Sequence, residues 1–447
     1  MQKYKDYVAK HQELILAANE QIWKNPETGY REWKTHAYLE EEFAKLGYEL
    51  TLAGDIPGFT AEADTGRPGP TVAVFGEMDG LIVRTHPDAD PQTGAVHACG
   101  HNAQCAALLG IAAALKEPGA LDGLCGKIRL VVVPAEELIE LEYRSELRKN
   151  GTITYYGGKP EFMRRGLLDG VDMAFMIHTS TNAANTGVVS GGANGMIGKS
   201  VCYQGVSAHA ASASKGVNAL YAANLGLNAI NALRETFKDG DHIRVHPIIT
   251  HGGDSVNAVP DTVRLESYVR GASMDAIMEA NKKINRAIAA TAAAMGAKAQ
   301  IVDFPGYWVR KYDVNLMETI RDAMEQVLDA VKYRPENWGT GCSDIGDVGA
   351  VMPTVHPTVG GATGIGHGDN YYIADPVSAC VKSAQIQLIC LAMLLKDDAA
   401  KAKKVIAEYT PQFASMEDYF AYADSINLDI QAVTYEGNKA ILTYGEV

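Results

Sequence analysis

The most apolar strand-like run of the chain, residues 128–133, is followed almost at once by an acidic pair, Glu136 and Glu137. An uninterrupted apolar run of this kind is typical of a strand that is buried on both faces. An unpaired charge at the end of such a strand is costly, so the two carboxylates need a partner. Metal ligation by one glutamate and proton transfer by the other would provide it.

A thiol and an imidazole lie two residues apart at Cys99 and His101, where a helix-like segment, residues 103–115, follows. Taken alone, this pair fits a small buried thiol and a capped histidine equally well. Both groups can also converge on one metal ion, and the acidic pair favours that interpretation. The donor types suit two borderline divalent ions such as manganese, zinc or cobalt, with a thiolate or a carboxylate as the bridge.

Strand patterns alternate with helix patterns in the first half of the chain. The predicted strands are 48–52, 71–75, 128–133 and 173–177, and the predicted helices are 2–24, 35–46 and 103–115. This alternation favours an α/β fold with a mixed, largely parallel sheet covered on both faces. Sites in such folds lie at the carboxyl ends of strands, where one pocket could collect Asp79, His178 and the acidic pair.

A glycine-rich segment at 190–195 is a candidate hinge into a second domain. The residues after it predict two helices and several strands, among them the alternating strand 261–270, until Pro305-Gly306 closes this part. The tail from Lys396 has no assigned role beyond extending an interface or covering an edge. The predicted domains are 1–192, the first part of a catalytic domain; 193–306, an inserted domain; and 307–447, the second catalytic part with a C-terminal extension.

Two more histidines complete the candidate metal site. His178 follows a predicted strand, and His367 lies in a loop too rich in glycine to be core. The candidate ligands are therefore Cys99, His101, Glu137, His178 and His367. Asp79 could orient one of them. Glu136 would be the general base, taking a proton from a metal-bound water whose pKa falls toward about 7 and passing it to a leaving nitrogen.

Three polar residues of the inserted domain are candidates for contacting a substrate. His209 could donate to a developing oxyanion, although a surface histidine is the simpler interpretation. Asn257 and Arg270 could hold a substrate carboxylate, since the arginine fork matches a carboxylate bidentately. Arg270 ends an exposed strand face and fits a solvated charge nearly as well.

The charge balance excludes a nucleic-acid surface. The 447 residues carry a formal net charge of −14, whereas nucleic-acid binders concentrate lysine and arginine. We therefore expect a small-molecule partner. The seven cysteines are odd in number and irregularly spaced, unlike a disulfide framework. With no apolar signal core and no apolar run of about 18–20 residues, we expect a cytoplasmic protein that does not enter the membrane.

Several motifs together resemble one family of dinuclear metallopeptidases and amidohydrolases over most of the chain. The family includes carboxypeptidase G, aminoacylase, indoleacetyl-amino-acid hydrolase and aminobenzoyl-glutamate hydrolase, and the last type is the most similar. The motifs are NPETG at 25–29, EMDGL at 77–81, HACGHN at 97–102, PAEE at 134–137, the segment ending at His178, GVSAHAA at 205–211, GGDSVNAVPD at 252–261 and CSDIGDV at 342–348.

This resemblance implies an aminopeptidase-like catalytic domain with an inserted ferredoxin-like α/β dimerisation domain. It also implies the five metal ligands already named, with Glu136 as the catalytic base. His209 would be the oxyanion donor, reaching the active site of the partner subunit in a homodimer or a larger homo-oligomer.

Three departures from the family pattern bear on the site. Asn102 and Gln104 replace a common aspartate and histidine, and Ala213-Ser214 replaces a proline and a histidine. The segment 138–156 looks inserted before Gly157-Gly158-Lys159. Because it carries Tyr143, Arg144, Arg148 and Tyr155, we expect it to line the pocket or to form its lid.

We expect a hydrolase that cleaves the amide bond of an N-acyl or N-aroyl amino acid, such as aminobenzoyl-glutamate, with a hydroxide that bridges two metal ions. Two alternatives stay open within the same site: hydrolytic deamination of an aromatic amine, and cleavage of dipeptides. A binding protein without catalysis is a third, which the intact Glu136 disfavours.

Overall fold

The computed structural model describes residues 1–445, which divide into two compact units. The first unit takes in residues 1–192, 310–338 and 343–416, and the second takes in 193–309, 339–342 and the chain from Glu417 onward.

The helices and strands follow one another along the whole described chain. The α-helices are α1 (Gln2–Lys10), α2 (Gln12–Trp23), α3 (Trp33–Lys45), α4 (His101–Leu115), α5 (Leu141–Lys149), α6 (Gly158–Arg164), α7 (Ala219–Ala232), α8 (Met274–Ala294), α9 (Val314–Met324), α10 (Ile345–Val348), α11 (Ser383–Glu408) and α12 (Met416–Ser425). The strands are β1 (Leu50–Leu52), β2 (Phe59–Asp64), β3 (Thr71–Glu77), β4 (Leu81–Ile82), β5 (Ala95–Val96), β6 (Lys127–Val133), β7 (Met173–Phe175), β8 (His178–Ser180), β9 (Thr186–Ala193), β10 (Gly195–Gln204), β11 (Arg244–Val245), β12 (Ile248–His251), β13 (Thr262–Gly271), β14 (Lys298–Tyr307), β15 (Arg310–Lys311), β16 (Ala330–Gly339), β17 (Thr354–Val355), β18 (Thr358–Gly360), β19 (Ala362–Thr363), β20 (Tyr372–Ile373), β21 (Leu428–Gln431), β22 (Val433–Glu436) and β23 (Lys439–Leu442).

A six-stranded mixed sheet with the order β1-β2-β6-β3-β7-β17 forms the centre of the first unit. The pairs β6–β3, β3–β7 and β7–β17 are parallel, and β1 and β2 join the edge in antiparallel pairing. Every residue of β3 is buried, as an uninterrupted apolar strand requires. The α/β class with a mixed, largely parallel sheet is therefore confirmed.

Helix α4 is buried along its whole length against this sheet. Its small side chains let neighbouring helices approach closely. A Cβ at Gly110 would overlap Ile15 of α2. The approach fixes where α4 begins, and His101 is its first residue.

Two sequence predictions in the first unit differ from the structure. The predicted strand 173–177 is shorter, and His178 opens a separate strand, β8, in a second sheet with β9, β15, β16 and β18. The predicted helix 314–331 ends at Met324, and the residues from Ala330 pair with β9 as β16. Pro335 within β16 is tolerated because β16 pairs on one side only.

The second unit contains an antiparallel sheet with the order β11-β13-β10-β14-β21, and β12 also pairs with β13. Helices α7 and α8 pack on this sheet. The chain order β10-α7-β12-β13-α8-β14 is a ferredoxin-like arrangement. Buried and less buried residues alternate along β13, as its sequence predicts.

The C-terminal residues require a correction. Their sequence assigns them to the second catalytic part, but residues from Glu417 onward group with the second unit. The reason is an open sheet edge: β21 pairs antiparallel with β14 and satisfies backbone groups that would otherwise be unpaired there. The predicted hairpin at Glu436-Gly437-Asn438 is confirmed as β22–β23.

One helical stretch, Val377–Glu408, is long and apolar enough to cross a membrane by length and composition. Of its most apolar window, 83% is buried inside the protein. The helix also leaves helical geometry at Lys396, Asp397, Asp398 and Ala399. These features are those of a core helix of a globular unit.

A buried polar network joins the sheet of the second unit to α8. The Lys199 ammonium donates to the Asp303 carboxylate and to the Asn285 carbonyl oxygen, and Lys199 and Asp303 are 1% and 2% exposed. Asn281 and Asn285 donate to the other Asp303 oxygen at 2.7 and 2.8 Å. Burial lowers the pKa of Lys199, although the charge of Asp303 opposes that shift.

We predict that Lys199→Met destabilises the second unit by about 3–5 kcal/mol, because it leaves a buried carboxylate without its cation. Hydrogen exchange of the β10 and β14 amides measures this loss directly. The double variant Lys199→Met/Asp303→Asn should recover part of it, since the amide keeps an acceptor for the asparagines. A loss below about 1 kcal/mol in the single variant would contradict the prediction.

Candidate metal centre

The carboxyl ends of β3 and β6 bring the acidic residues together. Glu77 of β3 lies opposite Val133 of β6, and the Met78 amide donates to the Val133 carbonyl at 3.0 Å. Asp79 and the acidic pair follow these two strand ends. They therefore meet at the same edge of the sheet, as the sequence predicts.

All five predicted ligands converge in two groups that share Cys99. Within each group, the potential ligand atoms lie within 4.8 Å of one another. The groups are Cys99, His101 and His178, and Cys99, Glu137 and His367. A shared thiolate is the geometry that a bridged pair of ions needs.

The two inner histidines are oriented for metal binding. The Nδ1 atom of His101 lies 2.9 Å from the Asp79 carbonyl and 3.1 Å from its carboxylate, and the His178 Nδ1 atom lies 2.7 Å from the Thr179 carbonyl. Because these partners are acceptors, each Nδ1 carries the proton. Each Nε2 keeps its lone pair on the side of the cluster, as in metal-binding histidines. The residues therefore fit a dinuclear metal centre.

Asp79 holds two of these residues rather than facing the ligand cluster itself. Its carboxylate is fully buried, and it accepts hydrogen bonds from His101 Nδ1 and, at 2.7 Å, from the Glu137 amide. It therefore orients one candidate ligand directly and another through its backbone.

The electrostatics of the cluster favour an ionised thiol. Burial and the Glu137 carboxylate oppose ionisation of Cys99, but the charges of His178 and His101 outweigh them and lower its pKa to about 6. A cluster that ionises a thiol and holds carboxylates attracts cations. His367 is 56% exposed and Glu137 only 11%, so the cluster opens on the His367 side.

The adjacent glutamates differ in their electrostatic environment. Burial raises the pKa of Glu136 well above its usual range, and the charges of Glu77 and Glu137 add to the effect. Burial also acts on Glu137, but the hydrogen bond and charge of His367 outweigh it and lower its pKa. Glu136 is thus the carboxylate that holds a proton more readily.

Sequence reasoning gave no role to three buried residues beside the cluster. The Lys159 ammonium lies between the carboxylates of Glu77 and Asp344, all without measurable exposure. The second Glu77 oxygen accepts from Gln104 at 2.8 Å and lies 3.2 Å from His101 Nε2. A charge in an apolar setting was the available signal at all three positions. Since Lys159 already compensates Glu77, we do not count Glu77 among the ligands.

The three predicted substrate contacts all lie in the second unit. His209 is exposed, its Nδ1 atom accepts from the Ala211 amide at 3.0 Å, and the Ala210 amide donates to the Asn257 carbonyl at 2.8 Å. Arg270 lies at the far end of β13 from Asn257, about 25 Å along the strand at 3.3 Å per residue. Within one chain, Asn257 and Arg270 therefore do not hold the same carboxylate.

Comparison with known proteins agrees with this fold and donor set. Residues 73–391 match the model of peptidase family M20/M25/M40. The mouse Xaa-Arg dipeptidase is 30% identical over 77% of this chain and 76% of its own length. One of the polypeptides of p-aminobenzoyl-glutamate hydrolase from Escherichia coli is 28% identical over 55% of this chain and 64% of its own length. A dinuclear metal-binding M20 peptidase from Bacillus subtilis superposes with a TM-score of 0.62 at 19% identity, covering 87% of this chain and 99% of that structure.

The fold and the paired donor groups define a metal-dependent hydrolase that acts on amide bonds. The match over residues 73–391 makes the assignment more specific: the chain belongs to peptidase family M20/M25/M40.

We predict that the chain binds two divalent ions and that the two donor groups can be separated by substitution. His367→Ala should retain about one ion per chain, since the other group keeps its donors, whereas Cys99→Ala should weaken both sites because they share the thiolate. Elemental analysis after dialysis against limiting chelator measures the stoichiometry. Equal loss in both variants would contradict a shared Cys99.

Proposed function

We propose that this chain hydrolyses the amide bond of an N-acyl or N-aroyl amino acid of the aminobenzoyl-glutamate type. The observation that carries the proposal is a buried carboxylate, Glu136, in the same cluster as two metal donor groups that share Cys99. Ions bound there would polarise the amide carbonyl and make water a better nucleophile. The mixed thiolate, imidazole and carboxylate set suits zinc, cobalt or manganese.

Glu136 takes the proton from the attacking water and delivers it to the leaving nitrogen. Its raised pKa suits both halves of this transfer, because the same group must accept and release a proton near neutral pH. Burial of Glu136 excludes bulk water from the transfer.

The substrate class is supported by the names of two relatives. The E. coli relative acts on p-aminobenzoyl-glutamate by its name, and the mouse relative is a dipeptidase by its name. Both bonds are amides that leave a free amino acid, so a dipeptide is the second candidate substrate. We also propose a cytoplasmic location, since all seven cysteines are free, as in a reducing compartment.

We predict that Glu136→Gln lowers turnover by about 10²–10⁴-fold while the metal content stays unchanged. Mass spectrometry should identify the products formed from N-acyl and N-aroyl amino acids, dipeptides and aromatic amines. The matched control is Glu41→Gln, an exposed glutamate on α3. A free amino acid supports amide hydrolysis, whereas ammonia without an amino acid would replace it with deamination. Full activity of Glu136→Gln would refute the mechanism.

We propose further that the chain forms a homodimer through the β12 edge and α7 of the second unit. This face exposes Tyr221, Leu225, Ile248 and Ile249, by 37–60% of their surface. β12 pairs with β13 alone, so its outer side is available to the same strand of a second copy. Exposed His209 would then donate to the oxyanion in the active site of the partner subunit.

Mixing two inactive variants tests this arrangement. Glu136→Gln retains His209, and His209→Ala retains Glu136, so a mixed dimer rebuilds one complete site. Random reassociation should restore about one quarter of wild-type activity, because half the dimers are mixed and each has one intact site. Ile248→Lys should yield monomers by light scattering, with Ile406→Lys in the first unit as the control. Absence of complementation between stable dimers would contradict the role of His209.

A further inference from the structure

The segment 138–156 is part of the core of the first unit rather than a lid. Its helix α5 buries Leu141 and Arg144, at 3% and 0% exposure. Tyr155 and Tyr156, at the end of the segment, are buried as well. The expectation that the segment forms a pocket lid is therefore wrong for these residues, and a fully buried arginine needs another explanation.

The Arg144 guanidinium binds the backbone on both sides of Glu136. Its Nη1 atom donates to the Tyr156 carbonyl at 2.6 Å and to the Ala135 carbonyl at 3.4 Å, and its Nη2 atom donates to the Glu137 carbonyl. A planar guanidinium with several fixed donors can hold these carbonyls at once, which a lysine cannot.

The same stretch of backbone is held from the other side by carboxylates. Glu32 accepts from the Ala135 amide at 2.8 Å, and Asp79 accepts from the Glu137 amide at 2.7 Å. Ala135 has a φ of 58°, a left-handed conformation that costs a non-glycine residue roughly 1–2 kcal/mol. Such a turn persists only where its surroundings hold it, and here Arg144 supplies the cationic part of that support.

A glycine in the NPETG motif makes room for this contact. A Cβ at Gly29 would overlap Arg144 Nη2 and would come within 2.9 Å of the Ala135 Cα atom. The next residue, Tyr30, places its ring 5.5 Å from the guanidinium, and its hydroxyl donates to the Tyr155 carbonyl at 2.9 Å. Residues distant in sequence thus enclose one guanidinium.

We propose that Arg144 is a positioning residue that fixes the orientation of Glu136 and Glu137, and that the segment 138–156 serves to deliver it. Arg144 acts through the backbone and touches no reacting atom. The consequence for Glu136 rests on the proposed function. The consequence for Glu137 as a metal ligand does not depend on the substrate.

The test compares Arg144→Lys with Arg148→Lys, one helical turn further along α5, whose side chain faces the Tyr156 ring at 5.9 Å. Chelator competition should show that Arg144→Lys weakens the more labile ion by about 10–100-fold. Turnover should fall by about 10²-fold at nearly unchanged KM, the cost of a misplaced catalytic group. Arg148→Lys should change neither quantity.

Gly29→Ala provides a second variant that keeps the arginine and displaces it, and it should reproduce both losses. For Arg144→Ala, added guanidinium should restore metal affinity and turnover in part, which a purely structural role would not allow. Wild-type metal affinity in folded Arg144→Lys and Gly29→Ala, or failure of guanidinium to restore it, would overturn the proposal. If the wild type hydrolyses no amide, the metal affinities still decide the role of Arg144.

Discussion

The parallel pairing of β3 with β6 places several carboxylates in one buried volume, and the rest of the site depends on compensating their charge. Ionised carboxylates are tolerated in such a place only when each has a cation or hydrogen-bond donors. Lys159 compensates Glu77 and Asp344, while His101 and a backbone amide satisfy Asp79. The donors that remain, gathered around Cys99, form the part of the cluster that suits metal ions.

The ligand set was predictable because each ligand follows a recognisable local signal. Cys99 and His101 flank the start of a helix, and Glu137 and His178 follow apolar strands, so the alternating fold alone brings them to one edge. The Lys159 network was not predictable in this way. Its partners lie 82 and 185 residues away in the sequence, and nothing local distinguishes a buried lysine from a solvated one.

The incorrect predictions share a physical cause. The sequence of α5, with its glutamates, arginines and lysine, is typical of a solvated helix, and only the tertiary structure reveals that one of these charges is enclosed. The C-terminal residues illustrate the same limit, because an open strand edge at β14 decides where β21 docks. Local periodicity identifies the element, whereas pairing partners decide which unit it joins.

The division of labour between the neighbouring glutamates follows from their surroundings rather than from their identity. Both are buried, yet Glu137 lies beside the imidazole of His367, which stabilises its charge, whereas Glu136 faces the negative charges of Glu77 and Glu137. Two carboxylates whose pKa values are driven apart can perform different tasks, one as a ligand and one as a proton carrier. Because one peptide bond separates them, a backbone rotation would exchange their environments. The hydrogen bonds to Ala135 and Glu137 from both sides are therefore a requirement of the chemistry as much as of the fold.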